Sequence, residues 1–363
     1  MARLGALSEL QVTGVDVHTP ELQFLAGLKQ CDVIVHLAGM NRHKDPLEFR
    51  RVNRDVTRDM CERLREFGRS PRIVFSSSTQ ANQENPYGVS KREAEEVLLQ
   101  FGVETGATIR ICRLKNAFGK WCRPNYNSVV ATFCCNIAND LPIQIADPCR
   151  ELDLIYVDDI VDALIVELRN NVGSGALSDI PSTRITLGEL AGRIQSFHHM
   201  RTNLLTPDFA VRFNQQLYAT YLSYASDESR RQYLEIKSDH RGCLAEFIKS
   251  NHFGQIFVSR TRPGVTRGNH YHHTKTEKFF VVEGQGTIRM RQIESSEVTE
   301  YRVSGGGFQV IDIPPGFTHS IENSGPGELV TLFWASEILD PDRPDTYFLP
   351  VLSDAENSVQ VTE

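Results

Sequence analysis

Between residues 263 and 284 the chain reads PGVTRGNHYHHTKTEKFFVVEG, with His270 and His272 two apart, Glu277 five further on, and Gly264 and Gly284 at the ends. Successive side chains of a β-strand point to opposite faces, so residues two apart project together. His270 and His272 therefore offer two imidazoles to one ion, and Glu277 returns a carboxylate from the next strand after a short turn. This stretch has no economical reading except as a metal site, and a fourth ligand has to come from elsewhere in the chain.

The spacing from Gly264 through His270, His272 and Glu277 to Gly284 resembles the first cupin motif. Residues 313–323, IPPGFTHSIEN, are similar to the second motif through Pro314, Gly316, His319 and Asn323, and that resemblance makes His319 the fourth ligand. The motif's leading glycine falls at Phe308, just after Gly305, Gly306 and Gly307, which reads as a slip of one residue in the turn. Three nitrogens and one oxygen suit zinc, iron, manganese or nickel, and ligand type alone does not choose among them.

A chain of 363 residues has room for about two domains. Its formal charge of -7, with lysine and arginine dispersed, leaves no basic stripe and argues against nucleic acid as a partner. No apolar run approaches the roughly 20 residues that span a bilayer, and residues 1–10 lack the layout of a signal peptide, so neither a membrane nor export is expected and the default location is cytoplasmic. Eight cysteines without a CxxC pair read as reduced core thiols.

In chain order, residues 10–16 (LQVTGVD) and 32–37 (DVIVHL) read as strands, 46–67 as helix, 72–76 (RIVFS) as strand, 85–102 as helix and 108–114 (TIRICRL) as strand. Such alternation predicts a Rossmann-like doubly wound α/β sheet with helices on both faces. Further helices are expected at 157–170 and 187–198. Beyond Arg241 and Gly242 the pattern changes to short strands and glycine turns, an all-β composition. The expected domains are 1–238 and 239–352, followed by a loose polar tail at 353–363.

A second chemical site lies in residues 85–91, NPYGVSK. Tyr87 and Lys91, four apart on a helix, share a face. A free tyrosine titrates at about 10 and is a poor acid or base at neutral pH, whereas an adjacent ammonium favours its phenolate. Ser78, at the end of the strand before it, offers a hydroxyl to a substrate oxygen. These residues resemble the extended short-chain dehydrogenase/reductases that modify sugar nucleotides. The resemblance makes Leu37, Ala38 and Gly39 the loop behind the cofactor, Asn53 a cofactor-side asparagine and Asn116, in RLKNAFG, the residue facing the sugar nucleotide. The segment YVDDI at 156–160 matches a later helix start.

Such folds begin with a strand and a glycine-rich turn that binds pyrophosphate, yet no GxxGxxG precedes residue 10. Residues 1–10 look like the second half of the helix after that turn, so the domain is expected to lack its first strand and to bind nicotinamide cofactor weakly or not at all. Asp16, closing the next strand, favours NAD, because a carboxylate there bonds the ribose hydroxyls and repels a 2′-phosphate.

Both halves together, with segments such as TYLSY (220–224), EFIK (246–249) and PDTYFL (344–349), are similar to the bifunctional capsular-polysaccharide enzymes that join a reductase to a cupin. That resemblance implies a homodimer, zinc in the cupin and a UDP-activated amino-deoxy sugar as substrate. The cupin would epimerise carbon 3 of a UDP-2-acetamido-2,6-dideoxy-4-hexulose. The reductase domain would then reduce the 4-ketone with NADP(H), a preference with which Asp16 conflicts. The residues leave two alternatives open: a sugar-nucleotide 4-epimerase or dehydratase with a structural cupin, and a non-enzymatic nucleotide-sugar binding module.

Overall fold

The structure, a computed structural model, describes residues 2–169, 173–177 and 180–352. The tail expected at 353–363 lies outside the described residues. The chain divides into two compact units, Met1–Ile194 with Gln216–Ser226 and Gln195–Gln215 with Asp227–Glu363.

The first unit is built on a parallel sheet of Val33–His36, Arg72–Ser78, Ile109–Leu114 and Gly175–Ala176, in that order. Alternation along Arg72–Ser78 explains why both faces are covered. Ile73 and Phe75 pack into a core with Leu64, Leu98 and Phe101, whereas Val74 packs into another with Ile160 and Leu164. Each such side chain contributes about 1.5–3 kcal/mol by leaving water. The fold is the Rossmann-like doubly wound α/β class, and a small mixed sheet of Asn116–Phe118, Glu151–Tyr156 and Thr183–Thr186 follows it.

Residues 10–16 form no strand, contrary to the alternation in the sequence, and are mostly exposed. Extended backbone persists as a strand only when a neighbour takes up its hydrogen bonds. Among the described residues Val33–His36 is the sheet edge, paired with Arg72–Ser78 alone, so residues 10–16 find no partner. Local signals elsewhere held well. The Pro86–Thr105 helix starts with Pro86 at its first turn, the Asn85 side chain accepts from Gly88 N at 2.8 Å, and Gly106 at φ +76° ends it.

The second unit has two antiparallel sheets. One runs Val310–Ile313, Glu277–Glu283, Leu329–Ala335, Gly254–Thr261, Gly242–Ser250, Ile236–Asp239; the other runs Val298–Ser304, Gln285–Gln292, Phe317–Asn323, Thr266–Tyr271, Tyr347–Phe348. Phe279, Val281 and Phe333 from the first meet Ile288, Met290 and Ile321 from the second in one core. Glu277–Glu283 is paired on both sides within the chain, so Phe279 and Val281 serve the interior. Segment 195–215 joins this unit through Thr206 N to Lys249 O (2.8 Å) and Lys249 N to Leu204 O (2.9 Å).

Two local readings need correction. Phe308 itself adopts φ +48°, while Gly305, Gly306 and Gly307 have no left-handed backbone, so the turn has not slipped. Phenylalanine takes up the conformation that glycine prefers, with its ring against Phe280 and 79% exposed. All eight cysteines are free, but only Cys61, Cys112 and Cys134 are buried; Cys122 and Cys149 lie exposed in loops.

Candidate active sites

Strand Arg72–Ser78 and helix Pro86–Thr105 place Ser78, Tyr87 and Lys91 together at the carboxyl end of the parallel sheet, where open α/β folds bind ligands. The Ser78 hydroxyl lies close enough to the Tyr87 phenol to influence it. Gly88, between Tyr87 and Lys91, permits this approach: a Cβ there would collide with the Gln80 carbonyl and lie 2.8 Å from that of Gln83. Burial pushes the Tyr87 phenol above its ordinary value, and the Ser78 hydroxyl offsets only part of this. This is opposite to the shift expected from the adjacent Lys91 ammonium. That side chain is only 4% exposed, and its ammonium lies 4.3 Å from the Phe75 ring centroid. Burial lowers it to about 8, with the Glu95 carboxylate working the other way.

Leu37, Ala38 and Gly39 are exposed just beyond strand Val33–His36. A Cβ on Gly39 would stand 3.0 Å from Asn53 Oδ1 and 3.3 Å from Lys91 Nζ, which ties this loop to the same cluster. Asn53 is buried in a π-helical turn, Arg50–Asp55, a distortion that often marks functional sites. Its amide accepts from Met40 N (2.7 Å) and donates to Met40 O (2.9 Å) and Ser90 Oγ (2.9 Å), so it shapes the loop from behind. Asn116 is exposed at the start of Asn116–Phe118. Asp16 stands apart, its carboxylate accepting from His18 N (2.9 Å) and Thr19 Oγ1 (3.2 Å) in its own turn.

Sequence reasoning missed Glu95, four residues after Lys91 on the same helix face. It is buried, accepts from Ser77 and from Arg113 Nε (3.0 Å), and is the carboxylate beside Lys91. The helical spacing was the available signal.

In the second unit the structure brings His270, His272, Glu277 and His319 together, one ligand atom from each lying within 4.8 Å of the others. The register is responsible. His270 pairs with His319 across Thr266–Tyr271 and Phe317–Asn323, and Glu277 enters from the opposing sheet. Glu277 Oε2 lies 3.1 Å from His319 Nε2 and 3.5 Å from His272 Nε2, yet both nitrogens are buried without a hydrogen-bond partner. Burial lowers His270 to about 4, which keeps it neutral. Burial acts against the Glu277 carboxylate, but the facing histidines more than offset it and hold it well below the usual range. Two orphaned nitrogens, a neutral imidazole and an ionised carboxylate aimed at one point fit a divalent cation.

The ring of His272 faces Asp345, which is not among the sequence-predicted site residues. Its Nδ1 meets the Asp345 carbonyl at 2.5 Å. Beyond the surrounding PDTYFL stretch, no sequence signal marks it.

Fold and geometry thus define a Rossmann-like α/β unit with a Ser–Tyr–Lys cluster and a β unit with a four-donor centre. The first matches, over residues 3–177, the NAD dependent epimerase/dehydratase family; residues 237–347 match the polysaccharide biosynthesis C-terminal domain. The UDP-2-acetamido-2,6-beta-L-arabino-hexul-4-ose reductase of Pseudomonas aeruginosa is 40% identical over 321 residues, covering 88% of this chain and 86% of its own. The crystal structure of the capsular polysaccharide assembling protein CapF from Staphylococcus aureus superposes with a TM-score of 0.88 at 42% identity, covering 96% of this chain and 95% of that one. The spore coat polysaccharide biosynthesis protein SpsL of Bacillus subtilis is 26% identical over 123 residues, 31% of this chain and 82% of that one. The chain belongs to the family of this reductase and CapF. No described helix is long and apolar enough to cross a membrane.

Proposed function

We propose that the chain is a bifunctional nucleotide-sugar enzyme of capsule or O-antigen precursor synthesis. Its C-terminal cupin epimerises carbon 3 of UDP-2-acetamido-2,6-dideoxy-4-hexulose, and its N-terminal domain reduces the 4-ketone with NADPH to a UDP-6-deoxy-talosamine precursor of UDP-N-acetyl-L-fucosamine. One observation carries this reading: a Ser78–Tyr87–Lys91 cluster and a four-donor centre occur in one chain that is 40% identical to a UDP-hexulose reductase. The family resemblance also supports a homodimer acting in the cytoplasm.

When bound, the nicotinamide supplies hydride and the cation, zinc or another divalent metal, supplies positive charge at the ketone oxygen. Leu37, Ala38, Gly39, Asn53, Tyr87 and Lys91 would hold the first; His270, His272, Glu277 and His319 would hold the second. NADPH is the reductant that the family resemblance supports, and Asp16, whose carboxylate accepts from His18 N and Thr19 Oγ1, keeps NADH as the alternative. In the reductive direction Tyr87 has to give a proton to the oxygen at carbon 4 as that oxygen gains charge. Burial serves this by keeping the phenol protonated. Ser78 holds the carbonyl, Lys91 binds the ribose, and Asn116 contacts the sugar nucleotide. At carbon 3 the proton is acidic because the resulting enolate spreads its charge onto oxygen.

The test is to incubate intact protein with the 4-keto sugar and NADPH. Stoichiometric NADPH oxidation with product is expected; a redox-neutral conversion would favour a 4-epimerase or dehydratase instead.

A further inference from the structure

Asp345 has two unlike jobs in one residue. Its carboxylate accepts three successive backbone N–H groups, from His273 (2.9 Å), Thr274 (3.0 Å) and Lys275 (3.0 Å), and the Thr274 hydroxyl at 2.9 Å. Consecutive amides turned to one point form an anion-binding nest. Its carbonyl meanwhile accepts from His272 Nδ1 at 2.5 Å. The residue adopts φ +40°, a conformation costly for any side chain but glycine, and its contacts have to outweigh that cost.

The segment around it reinforces the placement. Lys275 Nζ donates to Pro344 O at 3.0 Å, and Tyr347–Phe348 pairs with His270 and Tyr271. Leu349 N donates to Asn269 O at 2.9 Å. The loop carrying His272 onward and the segment 344–349 are thus fastened at both ends, with Asp345 at the point where they meet.

An imidazole nitrogen facing a carbonyl has to carry the proton, which leaves the other nitrogen as the lone-pair ligand. We infer that Asp345 is the positioning residue for the metal centre: its carboxylate, seated on the 273–275 amides, sets its carbonyl against His272 Nδ1–H and so keeps His272 Nε2 aimed at Glu277 and His319. This rests on reading the four donors as a metal centre. A plain turn lock would stabilise the loop without governing which nitrogen of His272 is protonated.

The experiment uses the full chain and zinc, in competition with a chromogenic chelator, alongside nitrogen NMR of the metal-free protein labelled at histidine. Wild type is expected to bind one zinc with His272 protonated on Nδ1. Asp345→Ala is expected to bind zinc roughly 10- to 100-fold more weakly and to show mixed protonation of the His272 ring nitrogens. Asp345→Gly removes the carboxylate while relieving the φ cost; it is expected to show the same loss and decides the matter if the alanine variant fails to fold. Zinc affinity within about threefold of wild type in a folded variant, with the His272 signal unchanged, would overturn the inference. A wild type that takes up no zinc would instead remove the metal-centre reading, and this inference with it.

Discussion

The two centres differ in how they are assembled. Ser78, Tyr87 and Lys91 come from one strand end and the first turns of the next helix, within fourteen positions of sequence. The four-donor centre draws on both sheets, and its His272 Nδ1 meets the Asp345 carbonyl. In the locally built centre the buried Lys91 ammonium lies 4.3 Å from the Phe75 ring centroid and is supported by the Glu95 charge. The centre built from distant strands leaves two buried imidazole nitrogens without any. Polar atoms are rarely buried unpaired, and a cation held among these donors would satisfy both nitrogens.

Substitutions can break this contrast. The largest effect is expected from Tyr87→Phe, which removes the proton donor and should lower NADPH oxidation by about 100- to 10,000-fold while solvent exchange at carbon 3 continues. Both rates can be followed on the same sample, and joint loss would mean that the centres are not separate. His272→Ala should do the converse: exchange at carbon 3 falls at least about 100-fold, as expected when several kcal/mol of charge stabilisation are lost, while cofactor binding is unaffected. Mass spectrometry of product formed in deuterated water reads the first, and fluorescence titration the second.

Glu95→Gln sharpens the comparison through pH. Lys91 titrates at about 8 because burial disfavours its ammonium while Glu95 supports it. Its charge is present below that value and lost above it, so reduction should decline on the alkaline side. Removing the Glu95 charge lowers Lys91 further, and the alkaline limb of kcat/KM should move to lower pH. An unmoved limb would detach Glu95 from the centre. The smallest effect is expected from Phe308→Gly, which relieves left-handed backbone at an exposed position and should stabilise the protein by about 1 kcal/mol in thermal unfolding.

What was legible in the sequence follows the same division. The sequence places helix Pro86–Thr105 at 85–102, stopping short of the Gly106 that ends it, and the two-residue spacing of His270 and His272 points to the cluster although His272 lies just beyond its strand. Residues 10–16 have strand composition, but composition cannot supply the neighbour a strand requires. The direction of the Tyr87 shift was misread because spacing reports proximity to Lys91 and says nothing of burial. Asp345 was invisible because its contact with His272 is made by a backbone carbonyl at a positive φ, neither of which a residue letter encodes.

The most direct test of two independent centres is to incubate intact, metal-loaded enzyme with the 4-keto sugar in deuterated water without NADPH. The account predicts deuterium at carbon 3 with the ketone unreduced, and reduction only once NADPH is added. No deuterium at carbon 3 until NADPH is present would contradict it.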